Sequence, residues 1–150
     1  MKGMRLVALV VGLAASAPAG AADTHTVHVR ATVLPGCAFS SPSSTIELTL
    51  DPAATTTVTQ SAAVTYRCTR GSGPAFTLRS GSTNSELGGN LVNGAESIPY
   101  TISHTSGGIG TGRGVGQDRT LTVSVSVNQT AAANVTPNVY TDTITITVTP

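Results

Sequence analysis

The sequence predicts an all-β domain, an antiparallel sandwich of immunoglobulin type with about seven short strands. Three observations carry this. Apolar and polar residues alternate with period two in run after run, which puts successive side chains on opposite faces of a strand. The runs are separated by segments rich in Gly, Pro, Asn and Ser, the residues that make turns. No segment has a convincing helical period, and Thr and Val are abundant. Their branched side chains are stiff and sit well on a pleated surface.

Residues 1–22 stand apart from the fold. Lys2 and Arg5 precede an apolar run from Leu6 to Ala15, and Ala19 and Ala21 form an A-x-A site. This is the pattern of a cleaved export signal, cut before Ala22 or Asp23, and the run is too short to span a bilayer. The domain organisation expected is a signal peptide over 1–22, a first or donor strand over 23–34 and one β-domain over 35–150. No integral membrane segment is expected after cleavage.

Seven runs then follow in order. Thr26–Val33 puts Val27, Val29, Ala31 and Val33 on one face and Thr26, His28, Arg30 and Thr32 on the other, a half-buried strand. Pro35-Gly36 turns the chain before Cys37. Thr45–Leu50 aligns Ile46, Leu48 and Leu50. Ala63–Thr69 aligns Val64, Tyr66 and Cys68, which places that cysteine inward. Phe76 and Leu78 alternate, as do Ile98, Tyr100 and Ile102, where Pro99 points to an edge strand or bulge. Thr120–Val127 is a long clean alternation, and Thr141–Thr149 turns Ile144, Ile146 and Val148 inward. One helical turn fits at Ala131–Asn134, and Pro137 stops anything longer.

Composition narrows the function classes. The only lysine is Lys2, so the exported chain has none. That excludes lysine catalysis and lysine–asparagine isopeptide cross-links. Six scattered arginines face seven carboxylates after cleavage, a balance with no electrostatic case for nucleic acid or an anionic membrane. Cys37 and Cys68 are an even pair in an exported chain, and a disulfide is the simplest reading. A metal or redox site is the weaker one, since there is no CxxC and no histidine at ligand spacing.

No motif for catalysis emerges. His25 and His28 lie three apart on a strand, hence on opposite faces, and His104 ends another, so all three read as surface residues. There is no G-x-S-x-G and no paired-carboxylate site. The Gly107–Gly116 stretch has G-x-G spacings, but a strand follows where a phosphate loop needs a helix. A flexible hairpin connection is expected there. Two glycosylation patterns, Asn128-Gln129-Thr130 and Asn134-Val135-Thr136, are common by chance in such a chain. No catalytic residue, cofactor or metal is expected.

Both ends of the exported chain point to one family. It opens with an alternating strand leading to Cys37. It closes with Pro137, Tyr140, Asp142, Thr143, Ile144, Thr145, Ile146, Thr147 and Val148 in the pattern P-x-x-Y-x-D-T-I-T-I-T-V. This closely resembles the spore coat protein U domain, whose family includes archaic chaperone–usher pilins. The chain departs from it at Asn138-Val139, at its final Pro150 and in its glycine-heavy loop. The resemblance implies an incomplete immunoglobulin-like sandwich lacking its last strand. Ile144, Ile146 and Val148 would line the vacant groove. Val27, Val29, Ala31 and Val33 would form a donor strand for another subunit's groove. The implied partners are a periplasmic chaperone, an outer-membrane usher and neighbouring pilin subunits in a homo- or hetero-polymer. The implied place is a pilus at the cell surface, in adhesion and biofilm formation, as a shaft or minor subunit rather than a two-domain tip adhesin.

Two readings stay beside it. Residues 24–33 read equally as the first strand of a complete sandwich, making a free-standing coat or binding module. A small secreted hydrolase would need a convergent polar pocket, for which no motif is present.

Overall fold

The computed structural model describes residues 23–150, so the expected signal peptide lies outside the described residues. Two units are distinguished, one ending at Thr32 and one spanning Val33–Pro150.

In the first unit, Asp23–Thr32 forms no strand, and every residue is exposed. The expected strand over Thr26–Val33 is therefore absent from the chain's own sheets. Alternation makes a segment able to be a strand, but a strand is stable only with a ladder partner and a surface for its apolar face. Among the described residues this segment has neither.

The second unit is all-β, with seven strands in two antiparallel sheets: β1 Cys37–Phe39, β2 Thr57–Cys68, β3 Ala75–Ser80, β4 Gly88–Asn93, β5 Glu96–Thr105, β6 Arg119–Asn128 and β7 Ile144–Thr149. Five strands make one sheet in the order β1-β2-β6-β5-β4, and β3 pairs with β7 in the other. Inward faces of β2, β5 and β6 build the core around Tyr66, Leu121, Val127 and Cys68, with Leu78 of β3 buried against them. Tyr66 meets Phe76 edge-on at 4.9 Å between centroids, a favoured aromatic geometry.

Five of the expected runs are strands, several longer than the alternation alone marks out. Two strands, β1 and β4, come from segments with no such pattern. β1 is held by the Cys37–Cys68 disulfide, whose two residues face each other in the β1–β2 register. A loop of that length is worth about 3–4 kcal/mol by the chain-entropy argument. β4 begins Gly88-Gly89 and hairpins onto β5 through Gly94, which takes a positive φ of 59°. β5 is not an edge strand, contrary to the reading of Pro99. Its pairing with β6 starts only at Thr101, however, and Pro99 pairs only with Asn90 of β4. Pro99 thus sits where one side of β5 has no partner to donate to.

The expected strand at Thr45–Leu50 has no ladder either. Its burial still alternates, with Ile46, Leu48 and Leu50 half-buried and Thr45, Glu47 and Thr49 exposed. A 3-10 turn spans Gln129–Ala132, close to the expected helical turn. The Gly107–Gly116 connection is tied down rather than loose. Gly110 is buried over Cys68, where a Cβ would come within 2.6 Å of the Cys68 Cβ. Gly110 N–H donates to Ser72 O at 2.8 Å, and Tyr66 OH donates to Gly108 O at 2.9 Å.

Candidate binding groove

A groove of about 550 Å³ opens between the two sheets. Its floor is Val64 of β2, Val123 and Val125 of β6 and Tyr100 of β5. One wall is Ile144 and Ile146 of β7, and the other is Ile46 and Leu48. Val148 shares the inward face of β7 and is half-buried, pairing across from Phe76, but it is not part of the groove lining.

Each wall presents unpaired backbone. β7 pairs with β3 on one side only. Gly81 N–H donates to Thr143 O at 2.7 Å, one register step before Ser80 and Ile144. In an antiparallel ladder a residue's N–H and C=O point the same way, and the direction alternates along the strand. The Thr143 carbonyl and the N–H and C=O of Thr145 and Thr147 therefore point toward the β3 side. The N–H and C=O of Ile144, Ile146 and Val148 point to the open edge, while their side chains face inward. The opposite wall is pinned at its ends, Ser40 N–H donating to Thr65 O at 2.9 Å and Asp51 N–H to Gln129 Oε1 at 2.8 Å. Between Thr45 and Leu50 it has no ladder.

Two carboxylates fix the approach to β7. Asp142 Oδ2 accepts from Ser80 Oγ, Ser82 Oγ and Tyr100 OH, each at 2.7 Å, and Oδ1 accepts from the N–H of Ser82 and Thr143. Burial pushes the Asp142 carboxyl up, but these donors outweigh it and hold it below the usual carboxylate range. Burial, with the neighbouring carboxylate, pushes Tyr100 up to about 12. Gly89 makes room for this cluster: a Cβ there would collide with Ser80 and come within 2.8 Å of Asp142 Oδ2. Farther back, Glu96 accepts from the Thr136 hydroxyl and N–H and from Tyr140 OH, which hold it below its ordinary range. Thr141 also bridges to Val92 of β4.

Tyr100 and Asp142 are the titratable groups of the lining, and each satisfies the other. The rest of the lining is uncharged, with apolar residues on the floor and Ser41, Ser43, Ser44 and Thr45 along one rim. Among the described residues no group of three or more His, Cys, Asp or Glu is arranged to hold a metal. His25, His28 and His104 are exposed.

The profile of the Spore Coat Protein U domain matches residues 23–147. The chain belongs to the spore coat protein U domain family. Neither a search of curated proteins nor one of solved structures found a match. Membership is consistent with a surface or pilus-type protein. Among the described residues no helix is long and apolar enough to cross a membrane.

The residues singled out from sequence fall into three groups. Cys37 and Cys68 are joined. Ile144 and Ile146 come together with Ile46 and Leu48 in the groove. Val27, Val29, Ala31 and Val33 are exposed, at 73% and 91% for the first two. Glu96, Ser80 and the wall role of Thr45–Leu50 were not foreseen. The Y-x-D spacing at 140–142 was the available signal for the carboxylate locks, yet it names neither partner.

Proposed function

We propose that this chain is a subunit of an extracellular pilus, assembled by the chaperone–usher route through donor-strand complementation, in the service of adhesion and biofilm formation. Residues 1–22 act as the export signal. A periplasmic chaperone covers the groove first. At the outer-membrane usher, a neighbouring subunit's N-terminal strand replaces it. The observation that carries this reading is a pair of mismatched halves. The chain has an apolar groove flanked by an open β7 edge. It also has an exposed alternating segment that pairs with no strand among the described residues.

The physics favours their union between molecules. An incoming strand gains main-chain hydrogen bonds from the β7 edge, and its alternate side chains fill the apolar trough. Burying Val27, Val29 and Val33 would contribute roughly 1.5–3 kcal/mol each. An open apolar edge is otherwise an aggregation hazard. Because donor and acceptor are different surfaces, the contact is head to tail and propagates into a fibre.

The test is to express the full chain, wild type and Val29→Asp, alone and with a periplasmic chaperone from a chaperone–usher system. Position 29 is exposed, so the substitution spares the chain's own fold. The expected result is chaperone-dependent solubility for both and denaturant-resistant ladders for the wild type alone. A wild-type chain that stays a stable monomer indifferent to the chaperone would point instead to a free-standing coat or binding module.

A further inference from the structure

The groove says something about whose strand it takes. A strand seated between β7 and Thr45–Leu50 would turn its second, polar face outward, beside the outward residues of both walls. On the β7 side these are Thr145 and Thr147, both exposed and uncharged. On the other side they are Thr45, Glu47 and Thr49. Among the described residues from Thr45 to Leu50, Glu47 is therefore the one charge; Asp51, at the end of this wall, is also exposed but accepts from its own Ala53 N–H. Beyond β7, Arg79 of β3 is already engaged with Glu86 at 3.0 Å.

The chain's own N-terminal segment carries the matching charge. The outward face of Thr26–Val33 is Thr26, His28, Arg30 and Thr32. Arg30 is a permanent cation, and it is exposed. Opposite charges facing each other across neighbouring strands are stabilising. Placing Arg30 across from Glu47 also satisfies the inner face. If the strands run antiparallel, Ala31, Val29 and Val27 fall opposite Ile46, Leu48 and Leu50. If they run parallel, Val29, Ala31 and Val33 fall opposite the same three. In either direction three of the four apolar donor residues meet an apolar wall residue.

We infer that the groove's occupant is residues 26–33 of a second copy of this same chain, with Arg30 across from Glu47 setting the register. This rests on the assembly reading above and narrows it: the chain is competent to form a homopolymer. Alternating apolar residues alone leave a strand free to slip by two positions, since the same face stays inward. A single cross-strand charge pair breaks that degeneracy and discriminates against foreign donors.

The test separates this inference from the reading beneath it. The full chain carrying Val29→Asp has an inactive donor and an intact groove. It is titrated with a synthetic peptide of residues 23–34, wild type or Arg30→Glu, and the Glu47→Arg version of the same chain is titrated with both. Homotypic docking with this register predicts that each single charge change weakens peptide binding about fivefold at low salt, and that Arg30→Glu peptide on the Glu47→Arg groove restores it. The difference shrinks in high salt, because the pair is exposed. Equal binding in all four combinations would overturn the register while leaving donor-strand assembly standing. Failure of the wild-type peptide to bind any groove, while a chaperone still does, would overturn the second copy as occupant. Failure of both to bind would overturn the assembly reading itself.

Discussion

At the scale of single residues, Asp142 ties the last strand to both sheets. Its two oxygens collect five donors from β3, the β3–β4 loop, β5 and its own following residue. Removing the carboxylate takes the acceptor from Tyr100 OH and leaves the buried Ser80 Oγ only Ser82 Oγ, at 2.9 Å, to donate to. Asp142→Ala should destabilise the domain by about 2–4 kcal/mol in denaturant unfolding, since charged hydrogen bonds are the strong ones and orphaned buried donors are costly. Tyr100→Phe removes one donor and should cost about 1 kcal/mol. Acid adds a second handle. Asp142 and Glu96 are both held below their ordinary values in the folded chain. The stability they supply is present above the ordinary carboxylate range and is lost as pH falls through their folded values. Wild-type stability should therefore drop below about pH 4, and Asp142→Asn should drop less steeply. A parallel pH dependence in the two proteins would remove Asp142 from this role. The sequence marked Asp142 through its place in the closing motif. It could not mark Ser80 or Glu96, because they become partners only through the sheet pairing.

At the scale of elements, legibility followed from how each strand is stabilised. β2, β5, β6 and β7 each bury one face, and that requirement writes a period of two into the residues. β1 has three residues and is held by a disulfide, so it needs no pattern. β4 is an edge strand held by its hairpin and by Gly89, which lets the Asp142 cluster approach. Neither support is periodic. Alternation also runs through Thr26–Val33, expected as a donor or first strand, and through Thr45–Leu50, and neither has a ladder among the described residues. Alternation records a face meant for burial and says nothing about which molecule supplies the ladder. Thr45–Leu50 accordingly gives an element-scale prediction. Its amides lack a ladder in the free chain and should exchange hydrogen quickly beside those of β6, which are paired on both sides. When the groove is filled they should become protected together with Ile144, Ile146 and Val148. Protection confined to β7 would mean the incoming strand pairs with one wall only.

At the scale of the whole molecule, the proposed assembly would supply from outside the apolar surface that the groove leaves uncovered. Anything that binds only the folded state adds stability by mass action. A donor peptide of residues 23–34 at a hundred times its dissociation constant should add about 2.7 kcal/mol to the Val29→Asp chain. For a domain of this size that corresponds to a rise of roughly 10 °C in the unfolding midpoint. The rise should grow with peptide concentration and vanish for a peptide carrying Val29→Asp, whose charge would enter the apolar trough. The Asp142→Ala chain separates the two sources of stability. It should begin lower and still gain nearly the same increment, because Asp142 anchors the approach to β7 while Ile144 and Ile146 line the groove that the peptide would enter. A complete sandwich with a closed core would show no peptide-dependent shift in either chain. The size of that shift would therefore measure how far a neighbour completes this domain's fold under the proposed assembly.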